Sequence, residues 1–178
     1  MPDDNTTAMF RVFIEGSVDD VWNEITRTDK PIAAFFNSRM HVESLEAGER
    51  FAMRTPDGQY TGVYGEVIPH RRFKHTFQFT SYDDEPCVVT YDLEPKDGGV
   101  EFTLTIEDMV PGTRSSKQMT QGGTMIVNTL KTVIETGRPS LTTRLLFGFF
   151  GLFQPFTPKR CRSEHWPVGK APNAGDPA

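Results

Sequence analysis

Residues 115–137, SSKQMTQGGTMIVNTLKTVIETG, form the longest stretch of this chain with a clear helical period. Met119, Gly123, Ile126, Leu130 and Val133/Ile134 recur at steps of three and four, which places them on one face. Gly137 followed by Arg138-Pro139 is a stop signal, because glycine takes the left-handed cap and proline cannot continue the helix. Most of the chain before this stretch reads as strand. A lone long helix after antiparallel strands has to bury its apolar stripe on the sheet. The expected fold is therefore α+β, a curved antiparallel sheet of about six to seven strands around a long C-terminal helix, with two short helices after the first strand.

Outward from the helix, the strands follow in order. Val100 to Asp108 and Cys87 to Glu94 are joined by the turn Asp97-Gly98-Gly99. Val89, Tyr91 and Leu93 alternate with polar residues, as do Phe102, Leu104 and Ile106, so one face of the sheet is packed and the other wet. Phe73, His75, Phe77 and Phe79 share a face of the preceding strand. Gln59 to Ile68 returns from Phe51 to Thr55 through Pro56-Asp57-Gly58, a hairpin signal. A short strand around MHVES precedes that pair, and Met9 to Glu15 is the first strand. Between them, Ser17 caps one short helix with Asp19 and Asp20 in its first turn and Val21, Trp22 and Ile25 on its buried face. Asp29 is expected to cap a second short helix, KPIAAFFN, which carries Phe35 and Phe36.

The chain of 178 residues suits one domain with a real core. A net charge of −5 argues against a nucleic-acid partner, which needs a basic footprint. Cys87 and Cys161 are far apart and lack metal-ligand spacing, so neither a zinc site nor a disulfide framework is expected, and a reducing, cytoplasmic setting is the default. The acidic, polar start lacks the basic and apolar regions of a secretory signal. The expected organisation is a flexible tail at 1–8, the domain at 9–137, an apolar and basic extension at 138–167 and a disordered tail at 168–178.

Several segments carry a family resemblance: Ser17 through Thr26, Ala47-Gly48-Glu49-Arg50-Phe51, Pro56-Asp57-Gly58, Gly62 through Pro69 running into Arg72-Phe73, and Thr90 to Leu104 with the final helix. Over roughly residues 9–137 the chain resembles the START/Bet v 1-type helix-grip superfamily (SRPBCC). Within it, the similarity is to the branch named after the activator of heat-shock-protein-90 ATPase. The resemblance implies a helix-grip fold with space between sheet and helix. It implies no common catalytic motif, so no catalytic residue is carried over. That branch often has Gly-Trp inside the last helix, where this chain has Gly122-Gly123. The missing ring either enlarges a pocket or is replaced from elsewhere.

The candidate ligand-binding residues are Phe35, Phe36, Tyr60, Tyr64, His75, Phe77, Tyr91, Met119, Gly123 and Ile126. His75 lies on an apolar face and titrates near neutrality, so it can orient a ligand, move a proton, or be a satisfied core histidine. The three tyrosines combine apolar area with a polar handle, as pockets and cores both do. Phe35, Phe36, Met119 and Met125 are placed to gate a mouth or simply to pack. Arg39, Arg54, Arg71 and Arg72 are candidates for pairing a ligand carboxylate. Asp83-Asp84-Glu85 reads as a solvated loop. No phosphate loop, metal cluster or paired-carboxylate signature is present in the sequence, so no metal or cofactor is expected.

Beyond the domain, LTTRLLFGFFGLFQPF (141–156) is too short to span a bilayer and has Arg144, Lys159, Arg160 and Arg162 around it. Leu141, Leu145, Phe149 and Phe153 can pack on the domain as an added helix or a lid, form a homodimer seam, or touch a membrane surface. Three functions stay open on these residues. The leading one is binding of a hydrophobic small molecule, a lipid or an aromatic, polyketide-like compound, between sheet and helix. The others are a cyclase- or hydratase-type enzyme on an aromatic substrate and a co-chaperone-like interaction module.

Overall fold

The computed structural model describes residues 6–55 and 58–171. Pro56 and Asp57 of the expected hairpin, residues 1–5 and residues 172–178 lie outside it.

The chain begins with β1 (Thr6–Ile14), earlier than the expected Met9, because Thr6 to Ala8 continue the ladder with β7 (Gly99–Met109). Next comes α1 (Val18–Thr26). Its cap is the expected one. Ser17 Oγ accepts from the Asp20 N–H at 3.0 Å, and the Asp20 carboxylate accepts from the Ser17 N–H at 3.2 Å. Val21, Trp22 and Ile25 are buried.

The expected second helix is only a 3-10 turn, Ala33–Phe35. Asp29 does not cap it; its carboxylate pairs with the Arg27 guanidinium at 2.9 Å. The turn is closed instead by a bridge between Ile32 and Ser38, with the Ile32 N–H donating to the Ser38 carbonyl at 2.8 Å. Closing that short loop forces Phe36 (φ 54°) and Asn37 (φ 58°) into the left-handed region, which a continuing helix excludes.

The remaining strands are β2 (Arg39–His41), β3 (Glu49–Arg54), β4 (Tyr60–Ile68), β5 (Arg72–Phe79) and β6 (Cys87–Lys96). All ladders are antiparallel, in the order β1-β7-β6-β5-β4-β3-β2. The inner face is the alternation read from the sequence: Phe73, His75 and Phe77 on β5, Val89, Tyr91 and Leu93 on β6, and Phe102, Leu104 and Ile106 on β7 are all buried. That face packs on α2 (Arg114–Thr136). Thr113 Oγ1 accepts from the Ser116 N–H at its start, and Gly137 at φ 77° ends it, its N–H donating to the Val133 carbonyl at 2.8 Å. The result is the helix-grip architecture, a curved sheet around one long helix.

The extension forms α3 (Leu141–Gly151) and then a string of short turns that recross the molecule to the sheet. Gly169–Lys170, expected within a disordered tail, is instead strand β8. It pairs with Glu49 and Arg50, covering the edge of β3 that β2 is too short to reach.

Candidate ligand cavity

The inner face of the sheet has two ends with different fates. At the first end Phe51 stacks on Tyr64, with centroids 4.7 Å apart, and Phe73 lies 4.9 Å from Tyr64. His75 sits among them, 4.8 Å from Phe51, 5.4 Å from Phe73 and 5.6 Å from Tyr91. The Tyr64 hydroxyl donates to the Met40 sulfur at 3.2 Å. His75 Nδ1 lies 2.7 Å from the Thr76 carbonyl, the partner that a protonated Nδ1 requires. This is a filled aromatic layer. Burial lowers the His75 imidazole to about 4, against the weaker opposing effect of the Thr76 carbonyl, so the ring is neutral near pH 7.

At the second end there is a cavity of about 650 Å³. Its floor is the sheet, from Tyr60 and Phe77 across Val89 and Tyr91 to Leu104 and Ile106. One wall is the first half of α2, with Gln118, Met119, Gly122, Met125 and Ile126; Phe35 and Phe36 close the adjoining side. The remaining wall is the extension: Phe147, Phe150 and Phe153, then Thr157, Pro158 and Cys161. No charged side chain lines the cavity among the described residues.

Of the ten candidate residues, seven meet here: Phe35, Phe36, Tyr60, Phe77, Tyr91, Met119 and Ile126. Three do not. Tyr64 and His75 belong to the filled layer, because β4 and β5 carry them toward Phe51 and away from the open end. Gly123 is covered. A Cβ there would lie 2.2 Å from the Phe10 ring, so Phe10 of β1 occupies the space that a larger side chain at 123 would need. Its neighbour Gly122 faces the cavity, with Phe36 against it.

Neither the Tyr60 nor the Tyr91 hydroxyl makes a hydrogen bond to a described residue, yet both residues line the cavity and are buried. Desolvation, helped by the neighbouring tyrosines, pushes Tyr60 well above its ordinary range; desolvation and Cys87 do the same to Tyr91. Both therefore remain protonated and can donate to a ligand oxygen. The arginine candidates are engaged elsewhere. Arg39 donates to the Thr28 carbonyl, Arg54 to the Trp166 carbonyl, and Arg72 pairs with Asp92 at 2.6 Å. Arg71 is exposed and away from the cavity. Among the described residues, no group of three or more His, Cys, Asp or Glu is arranged to hold a metal.

The acidic loop is more than a solvated turn. Asp84 accepts from the Ser115 N–H at 3.0 Å at the start of α2, and Asp83 holds Arg160 of the extension through both carboxylate oxygens. Arg160 also donates to the Thr80 carbonyl at 3.1 Å, and Trp166 Nε1 donates to the Arg160 carbonyl at 2.8 Å. The Gly58 N–H donates to the Cys161 carbonyl at 2.8 Å. These bonds fasten the extension across the strand ends that frame the cavity. The apolar run 145–153 was the sequence signal for this wall; its partners, far away in sequence, were not visible.

Residues 15–135 match the family described as Activator of Hsp90 ATPase homolog 1-like protein. That is most of the chain, which belongs to this family. The match ends before the extension, so the wall built by Phe147 to Cys161 lies outside it. No curated protein matches the sequence. Among solved structures, the chain is similar to the Aha1 dimer from Colwellia psychrerythraea, with 13% identity, a TM-score of 0.63, and coverage of 74% of this chain and 98% of that one. It is also similar to CalU16 from Micromonospora echinospora, with 19% identity, a TM-score of 0.60, and coverage of 82% and 83%. DynU16, a protein of the dynemicin biosynthetic locus, is 26% identical with a TM-score of 0.57; the match covers 78% of this chain but only 49% of that one.

Proposed function

We propose that this member of the Hsp90-ATPase-activator-like family binds a neutral, mostly apolar small molecule in the cavity between β4–β7, α2 and the extension. One observation carries the reading: the 650 Å³ space is lined by apolar and aromatic groups with no charged side chain among the described residues. Burial contributes about 25 cal/mol per Å² of apolar surface, which suffices for a polycyclic or acyl ligand with few polar contacts. A free fatty acid is disfavoured, since its carboxylate would meet no cation inside. Tyr60 and Tyr91 would instead donate to a carbonyl, quinone or ether oxygen, the polar atoms of an aromatic, polyketide-like compound. The 26% identity to a protein of the dynemicin biosynthetic locus is consistent with a small-molecule ligand.

Titration with Nile red, a neutral aromatic carbonyl dye, tests this. Wild-type protein should bind one dye per chain with enhanced emission, and Val89→Trp, which fills the cavity floor, should abolish it. Equal binding by Val89→Trp would place the dye elsewhere and remove the reading. Native mass spectrometry of protein purified from cells would then identify the natural occupant.

A cyclase- or hydratase-type reaction on such a ligand is the second reading, favoured by two tyrosines that line one cavity, whose hydroxyls could polarise a carbonyl. It lacks the expected proton acceptor, because His75 is outside the cavity. The co-chaperone-like reading is supported by the family description and the likeness to the Colwellia protein; a large cavity gives it no added support.

A further inference from the structure

Helix α3 has two apolar faces on opposite sides. Phe147 and Phe150 line the cavity. Leu141, Leu145, Phe149 and Leu152 fall on the other side at steps of four, four and three, and lead to Phe156. That outer stripe is open: Leu141 is 69% exposed, Leu145 67%, Leu152 70% and Phe156 80%. A helix apolar all round is ordinarily buried, so this stripe lacks its covering partner.

The charge around the stripe says what the partner is. From residue 138 onward the chain has six Lys or Arg against two Asp or Glu, whereas the whole chain has 19 against 24. There is no acid between Arg138 and Ser163. Arg160 is held by Asp83, but Arg138, Arg144, Lys159 and Arg162 are exposed and make no ion pair with a described residue. An apolar, aromatic stripe in a segment that carries exposed cations and no acid from 138 to 163 matches an anionic lipid surface. It does not match a two-fold dimer through the same face. There cations of one copy would face cations of the other, with no acid between 138 and 163 to offset them. No helix among the described residues is long and apolar enough to cross a membrane, so the contact would be one of docking.

We infer that α3 is a membrane-docking lid: its outer stripe lies on an anionic bilayer while its inner face closes the ligand cavity, so that docking couples the cavity to the membrane. The coupling rests on the ligand-binding reading above; the docking does not. The fastenings of the extension lie after α3, at Arg160, Cys161 and β8, so the helix can move while the chain stays attached.

The test is sedimentation of the full chain with vesicles of phosphatidylcholine alone and of phosphatidylcholine mixed with phosphatidylglycerol. Binding is expected to the mixed vesicles only and to weaken with salt. Leu145→Glu/Phe149→Glu should reduce it at least about tenfold. Should that variant fold poorly, Arg144→Glu/Lys159→Glu/Arg162→Glu leaves the apolar stripe intact and should reduce binding by about a hundredfold. Nile red bound without vesicles should be unchanged in both variants, since none of these side chains lines the cavity, and its release should be faster onto anionic than onto neutral vesicles. Equal sedimentation with both vesicle types, or undiminished binding by the variants, would overturn the docking. So would a wild-type dimer that the Leu145→Glu/Phe149→Glu change converts to monomer. If vesicles bind but Nile red does not, docking stands and the cavity reading fails. If both bind but release does not depend on lipid charge, the lid coupling is overturned.

Discussion

Two ends of one sheet face carry nearly the same residues and do opposite things. Tyr64 and His75 are four and two residues along the same strands from Tyr60 and Phe77, about 13 Å or less. Around Tyr64 and His75, Phe51, Phe73 and Tyr91 interlock, and the Tyr64 hydroxyl has Met40 as its partner. Tyr60 stacks on Phe77, 4.3 Å away, and the space beside them is bounded by Gly122 and by an extension absent from the family match. Residue type does not separate a filled core from a cavity. The separation comes from what the opposing elements bring to each end.

The largest expected contrast is in stability. Phe51→Ala at the filled end should cost ~3–5 kcal/mol in chemical denaturation, because its neighbours cannot collapse into the void. Phe77→Ala should cost clearly less, since it only enlarges an existing space. Equal losses would erase the distinction between the two ends.

Acid should act on the filled end. The His75 imidazole has a folded value of about 4 against an ordinary 6.5. The unfolded chain therefore takes up the proton first. Its contribution to stability is complete above pH 6.5 and is lost as pH falls toward 4, by ~3 kcal/mol. In His75→Phe that slope should vanish from denaturation curves measured across this range, while Nile red binding at neutral pH is kept. An unchanged slope would mean that other groups dominate.

Gly123→Ala should destabilise by ~1–3 kcal/mol, because the new Cβ meets the Phe10 ring. Phe10→Ala/Gly123→Trp, which restores the ring from the helix side, should recover part of the loss of either single change. Additive losses would show that the two do not share one volume.

The smallest effect separates the tyrosines. Tyr60→Phe and Tyr91→Phe should each weaken a carbonyl-bearing ligand by ~0.5–1.5 kcal/mol and leave a pure hydrocarbon ligand unaffected. Tyr64→Phe should leave both unaffected, as its hydroxyl is spent on Met40. Isothermal titration with a matched ligand pair would read all three.

Much of this was legible in the chain. The capping box at Ser17, the alternation on β5 to β7 and the stripe of α2 follow from local chemistry and periodicity, and the structure reproduces them. The expected second short helix is a 3-10 turn because the Ile32–Ser38 bridge is a contact that composition does not announce. His75 was placed on the correct face, but a face does not specify which end of it is filled. The Asp83 and Asp84 roles were invisible because their partners, Arg160 and Ser115, are 77 and 31 residues away.

The sequence by itself determined the order of strands, the gripped helix and the apolar side of each, since periods of two and of three to four are local properties of the backbone. It also placed an apolar run flanked by cations after the domain. Only the tertiary structure decided that Phe10 packs against Gly123 and that the Tyr60 and Tyr91 hydroxyls make no hydrogen bond to a described residue. The same holds for the extension, which walls the cavity with one face and leaves the other bare. These outcomes depend on which distant surfaces meet, and on the volume left between them, and neither quantity is carried by any single stretch of the chain.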